Sequence, residues 1–122
     1  MRRDWNLIGD IFKAIEEERL ESMLDTATPD DKEKTLWHLE LLLDAGYIKG
    51  VFFRVSVDGM ISYGCDRPRI TLQGYDFAEV VMDQKLLNKT INIIKKAGLM
   101  VGFETLKSYA PIALKSIVAL AN

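Results

Sequence analysis

Cysteine and histidine each occur once in the 122-residue chain, as Cys65 and His38. A single cysteine cannot close an internal disulfide, so a reducing compartment is the expected setting. One cysteine and one histidine cannot assemble a Cys/His zinc site, and neither a metal nor a cofactor is expected. A Gly-rich phosphate loop, a His-Glu-x-x-His pattern and a carboxylate pair with a recognisable role are all missing, so the chain reads as a non-enzyme. Charge of one sign is missing too. Sixteen Lys+Arg oppose eighteen Asp+Glu, a net charge of −2, which argues against a polybasic nucleic-acid arm. The most apolar stretch, Tyr109 to Ala121, is too short to span a bilayer and carries Lys115, so no membrane partner is expected. After Met1-Arg2-Arg3, the polar Asp4, Asn6 and Asp10 leave no apolar targeting core, and a cytoplasmic location is expected.

What is present suits one ordinary globule, with 48% hydrophobic and 28% charged residues. A chain of this length buries about two-thirds of its unfolded surface and can hold a core without staples. Residues 4–18 read as a helix with Asp4 as N-cap and an apolar stripe of Leu7, Ile8, Ile11, Phe12 and Ile15. Residues 19–28 fit a short turn or a short strand. Thr28-Pro29 starts a second helix that runs to Ala45 and stops at Gly46. Val51 to Val57 forms a strand, Asp58-Gly59 gives a two-residue type I′ turn, and Met60 to Tyr63 returns. Gly64 to Pro68 reads as a loop, Arg69 to Leu72 as a strand tail, and Tyr75 to Val81 as helical after a break at Gly74. Helices over 84–97 and 103–120 finish the chain, the last with a kink or break near Ala110 caused by Pro111.

Helix, short connection, helix, hairpin is the order of a winged-helix domain. The expected fold class is therefore α+β, a winged-helix-like core over residues 1–83 with a helical extension over 84–122 packed on the same domain. Four blocks also resemble a known family. Met1-Arg2-Arg3-Asp4-Trp5-Asn6-Leu7-Ile8 is similar to an M-K-R-D-x-D-L-I opening. Trp37 to Ile48 is similar to Y-H-L-x-L-L-x-E-A-G-L-I, and Ile70 to Phe77 to L-T-x-x-G-H-E-F. Leu87-Asn88-Lys89-Thr90 is similar to W-N-K-T, with leucine in place of tryptophan. The family these blocks resemble is carried by phages and prophages, has no assigned activity, and shares its element order with the YjcQ-like winged-helix family. The resemblance implies that fold and a mobile-element origin, and it supplies no catalytic residue.

On the helix from Pro29 to Ala45, Leu36, Leu39, Leu42 and Leu43 form the expected core arc, with Trp37, Leu41 and Ala45 on a second arc. The polar stripe left is Glu33, Glu40 and Asp44, which phosphates repel; only Lys34, Thr35 and His38 remain as recognition-helix contacts. His38 also reads as a partly buried histidine bonded to backbone. Charge is split along the chain: seven Lys+Arg against twelve Asp+Glu over 1–50, nine against six over 51–122. Arg54, Arg67 and Arg69 on the hairpin, and Lys85, Lys89 and Lys96 with Asn92 on one helical face, are candidate contacts to phosphates or an acidic partner. The plain alternative for the lysines is a solvated amphipathic face. Cys65 is an incidental thiol unless Arg67 lowers its pKa. Leu106, Tyr109, Leu114 and Ile117 are candidate self-association residues on the last helix. The expected function is a non-catalytic interaction module of phage or prophage type that binds a protein partner and forms a homo-oligomer. The alternatives are a regulator that binds double-stranded DNA and a phage-encoded inhibitor of a host protein.

Overall fold

The computed structural model describes residues 2–121, with side chains through residue 119. The chain divides into two compact units, Met1–Tyr75 and Asp76–Asn122. The division falls after Tyr75, inside the helix that follows the hairpin.

In the first unit, α1 (Trp5–Glu16) starts at Asp4, whose carboxylate accepts the Leu7 N–H at 3.1 Å. The expected stripe holds: Ile8, Ile11, Phe12 and Ile15 are buried, and Leu7 is half-buried. The segment left open in the sequence is a short helix, α2 (Leu20–Thr26), which buries Leu20 and Leu24. α3 (Pro29–Asp44) begins as predicted, with the Thr28 hydroxyl accepting the Asp31 N–H at 3.2 Å and Pro29 in the first turn. Its core arc differs from the expected one. Thr35, His38, Leu39 and Leu42 are buried, whereas Leu36 and Leu43 are only half-buried, as are Trp37, Leu41 and Ala45. The helix is turned toward its polar side because His38 has a long-range partner, described below.

β1 (Ile48–Val55) and β2 (Ile61–Ile70) form a two-stranded antiparallel sheet. β2 runs straight through the Gly64 to Pro68 segment expected to be a loop. The ladder tolerates Pro68 by bulging. Lys49 pairs with Arg69 and Val51 with Cys65, so Gly50 alone faces Asp66, Arg67 and Pro68. A proline has no N–H to give a ladder, and a bulge is where a strand can carry one. Gly50 sits at φ +88°, and a Cβ there would lie 2.5 Å from the Arg67 carbonyl oxygen. The tip is not a two-residue turn either. The Gly59 N–H bonds the Ser56 carbonyl at 2.9 Å, the Ser56 N–H bonds the Met60 carbonyl at 2.8 Å, and Gly59 takes φ +84°. Asp58 has no positive φ, which a type I′ turn requires, so this is a three-residue turn with a glycine bulge.

α4 (Leu72–Val81) follows, capped by the Thr71 hydroxyl, which accepts the Gly74 N–H at 3.0 Å. Gly74 lies within the helix instead of breaking it, because the Tyr47 carbonyl oxygen would be 2.0 Å from any Cβ at that position. Three helices on a hairpin, with α3 in the recognition-helix place and β1–β2 as the wing, make a winged-helix-like α+β fold with additional C-terminal helices.

The second unit holds the rest of α4, α5 (Gln84–Lys96) and α6 (Phe103–Ala121). Asp83 caps α5 by accepting the Leu86 N–H at 3.1 Å. Phe77, Leu87, Ile94, Leu106 and Ala113 are fully buried, and the Phe77 and Phe103 rings meet edge-on at 5.1 Å. α6 continues through Pro111, so of the kink or break expected near Ala110 a break is not found.

Candidate interaction surfaces

The wing owes its surface to strand alternation, which puts every second side chain on one face. Val51, Phe53 and Val55 share a face with their partners Cys65, Tyr63 and Ile61. At the base this face is covered. Val51 is buried, the Tyr63 hydroxyl donates to Asp25 Oδ1 at 3.1 Å, and the Lys32 ammonium lies 5.2 Å from the centre of the Tyr63 ring. Toward the tip nothing covers it: Val55 is 72% and Ile61 67% exposed, and Val57 and Met60 are exposed beside them. The turn beneath these side chains is ordered by Asp58, which faces the Ser56 hydroxyl and accepts the Met60 N–H at 3.3 Å. The Ser56 hydrogen bond, then that from Met60, holds the Asp58 carboxyl below its ordinary value.

α3 presents Glu33, Glu40 and Asp44 to solvent, as its spacing predicted. The three candidate recognition contacts do not join them. Thr35 and His38 are buried, and the Lys34 ammonium pairs with Asp4 Oδ2 at 2.8 Å. His38 Nε2 accepts the Asp4 backbone N–H at 2.8 Å, and Nδ1 lies 2.7 Å from the Lys34 carbonyl oxygen. An amide can only donate and a carbonyl can only accept, so this network places the ring proton on Nδ1. Its ring also meets Trp37 edge-on, centroids 5.0 Å apart. His38 is thus a tie between α3 and the start of α1, with neither nitrogen left for a base edge or a substrate. The Lys34 hydrogen bond holds the Asp4 carboxyl below its ordinary value, against some desolvation.

A second tie closes the base of the wing. The Tyr47 carbonyl accepts the Thr71 N–H at 2.9 Å, and the Thr71 hydroxyl donates to the Gly46 carbonyl at 2.6 Å. Asp4 and His38 come from the first two resembling blocks, and Gly46, Tyr47, Thr71 and Gly74 from the second and third. These block residues meet in space as structural locks.

The hairpin arginines do not form one patch. Arg54 lies up the wing opposite Ser62, while Arg67 and Arg69 lie at the bulge, where Arg69 donates to the Arg67 carbonyl at 3.1 Å. At Cys65 the thiol is pushed up by burial and then by the Glu21 carboxylate facing it, which goes against activation by Arg67 and agrees with the incidental thiol expected.

In the second unit, Lys85, Asn92 and Lys96 are exposed and Lys89 half-buried, while Leu87 and Ile94 are buried on the other face of α5. α5 carries four lysines and no carboxylate. On α6, Leu106 is buried and so leaves the set of self-association candidates. Tyr109 and Ile117 are half-buried, and Leu114 is exposed together with Ile112 and Val118. Sequence spacing alone missed the apolar wing tip, although Val55, Val57, Met60 and Ile61 stand around the turn in the sequence. Among the described residues, no group of His, Cys, Asp and Glu is placed to hold a metal ion, and no helix is long and apolar enough to cross a membrane.

The model of a family described as "Hypothetical protein (DUF2513)" matches residues 2–100. Comparison with curated proteins found no match, and comparison with solved structures found none.

Proposed function

The chain belongs to the DUF2513 family, and from that premise we propose that it is a non-catalytic interaction module of the phage and prophage type. In this reading it works in the cytoplasm, grips a protein partner with the tip of its wing, and self-associates through the outer face of α6. A host protein that it inhibits is one such partner, and kinship with the YjcQ-like proteins belongs to the same reading. The observation that carries it is the wing tip. Val55, Val57, Met60 and Ile61 are all exposed around a turn hydrogen-bonded through Ser56 and Asp58. A wing that grips DNA phosphates would carry basic side chains at that point, and the acidic outer stripe of α3 repels them. Exposed apolar side chains grouped this way mark protein contacts.

The test is a comparison of wild type with Val55→Glu/Ile61→Glu by cross-linking in cells, with circular dichroism to verify folding. A partner cross-linked to the wild type and lost in the folded variant supports the module. Identical cross-linking profiles refute the role of the wing. DNA binding is the second reading, favoured by the four lysines of α5 without a neighbouring carboxylate on that helix. Random duplex at low salt tests it: each lost phosphate contact lowers the log-affinity against log-salt slope by about one. Under that reading Lys85→Glu with Lys89→Glu flattens the slope for all sequences alike.

A further inference from the structure

Only two non-glycine residues among those described have a positive φ, Glu18 at 55° and Arg67 at 51°. Both are positions where the backbone favours glycine. Glu18 is the residue after the C-cap of α1, where the Arg19 N–H reaches back to the Ala14 carbonyl at 2.8 Å; glycine is usual there. Arg67 is the apex of the β2 bulge. Left-handed backbone strains a side-chain-bearing residue, and such strain gathers where a side chain is needed for function.

Both strained residues line the same groove, of about 670 Å³. Its walls carry Glu18 and Glu21 from the α1–α2 corner and Arg67 and Arg69 from the bulge. Ile15 and Leu20, both buried, and Pro68 supply its apolar lining. Among the described residues, ion pairs join Arg19 to Glu17 and Lys34 to Asp4, but none joins these two arginines to these two glutamates. Opposite charges share one groove and are held apart. Its volume is that of a small-molecule or short-peptide site.

We propose that this groove binds a zwitterion: a ligand whose carboxylate meets Arg67 and Arg69 and whose ammonium or guanidinium meets Glu18 and Glu21, with an aliphatic spacer over Ile15, Leu20 and Pro68. The same chemistry is offered by a free amino-acid-like molecule and by a peptide segment with an acidic and a basic side chain. The site stands apart from the wing tip and does not depend on the role given to it.

Amide chemical shifts of the full chain would be followed while adding 5-aminopentanoate, or the end-capped tetrapeptide Lys-Ala-Ala-Glu. Glutarate and 1,5-diaminopentane serve as single-sign controls. A zwitterionic probe should shift the amides of residues 15–21 and of Arg67 and Arg69, and bind more tightly than either control. The tighter of the two zwitterions identifies the source. Glu18→Gly and Arg67→Gly should each weaken that binding about tenfold or more, as loss of a charge-assisted contact does. Both should keep or raise the thermal midpoint, since glycine relieves the strain, so a folding failure would not stand in for a binding loss. No shift with either zwitterion, equal affinity for glutarate, or undiminished binding in the glycine variants would each overturn the site. A lowered midpoint in both variants would mean that Glu18 and Arg67 are not strained, and would overturn the site as well.

Discussion

Replacing Gly50 by alanine tests the bulge that lets β2 carry Pro68. Two effects act on any glycine at positive φ. Alanine reduces the freedom of the unfolded chain, a gain of about 0.4–1 kcal/mol. The left-handed backbone then costs it about 1–2 kcal/mol. Gly59, at φ +84° with nothing within 4 Å of a built Cβ, meets only these two. Gly59→Ala should therefore lose about 0.5–1 kcal/mol. Gly50 adds a third effect. Its Cβ would stand 2.5 Å from the Arg67 carbonyl oxygen and 2.6 Å from that of Asp66, both backbone atoms fixed by the bulge. Relief requires the ladder to open between Lys49 and Val51, an overpacking cost of about 1–3 kcal/mol. Gly50→Ala should thus lose about 1.5–4 kcal/mol in all. Trp5 and Trp37 both lie in the first unit, so tryptophan fluorescence in a urea titration reports on the unit concerned. The midpoint should fall with an unchanged slope. If Gly50→Ala costs no more than Gly59→Ala, the close approach of Gly50 to the bulge does not hold.

Asp4 gives a pH dependence. Lys34 holds its folded carboxyl below the ordinary carboxylate value, so its contribution is complete above that ordinary value and is lost as pH falls through the folded one. Asp4→Asn keeps the cap acceptor but loses the charge toward Lys34. It should be less stable than wild type by about 0.5–1 kcal/mol at neutral pH, and the gap should close in strong acid, read from urea midpoints. Cys65→Ser should leave folding and partner binding unchanged, and the native thiol should alkylate more slowly than a free one at pH 8 by mass spectrometry. Lost partner binding in a folded Cys65→Ser variant would reopen a reactive role. Pro111→Ala restores one N–H to an exposed helix position and should raise the thermal midpoint, by up to about 3 kcal/mol of stability; a fall would mean that the proline shapes α6. Leu114→Glu with Val118→Glu should convert a self-associated form to monomer in sedimentation at micromolar concentration, and a wild type that is already monomeric refutes that use of α6.

The starts of α1, α3 and α5 were legible because capping is local chemistry: Asp4, Thr28 and Asp83 each accept an N–H three residues ahead; α2 and the first turn of α4 were not. β2 was illegible because Gly64 and Pro68 punctuate it locally, while its pairing with β1 overrides them through the bulge. The turn at Asp58-Gly59 was placed correctly and typed wrongly. The dipeptide suits a type I′ turn, but the structure shifts the turn one residue back, with Asp58 accepting from Met60. The core face of α3 was misjudged because helical periodicity ranks leucines above a histidine. His38 is buried by an amide 34 positions away in sequence, which no local pattern contains. The surface was read least well. Alternation identifies which side chains share a face of the wing, but not how far up that face the helices reach. Val55 and Ile61 pass beyond that cover, and Tyr63 does not.

The tie between Tyr47 and Thr71 has a consequence for how the wing can change over time. The two ends of the hairpin are fastened at its base, by that hydrogen bond and by the pairing of Ile48 with Ile70. Beyond the last ladder pair, Val55 with Ile61, the tip is a closed loop whose entropy depends only weakly on length, about 0.6 kcal/mol for each doubling. Insertions and replacements at Ser56 to Met60 therefore leave the helical core of the first unit undisturbed. The tip of the wing can be exchanged as a cassette while the core and its ties stay as they are.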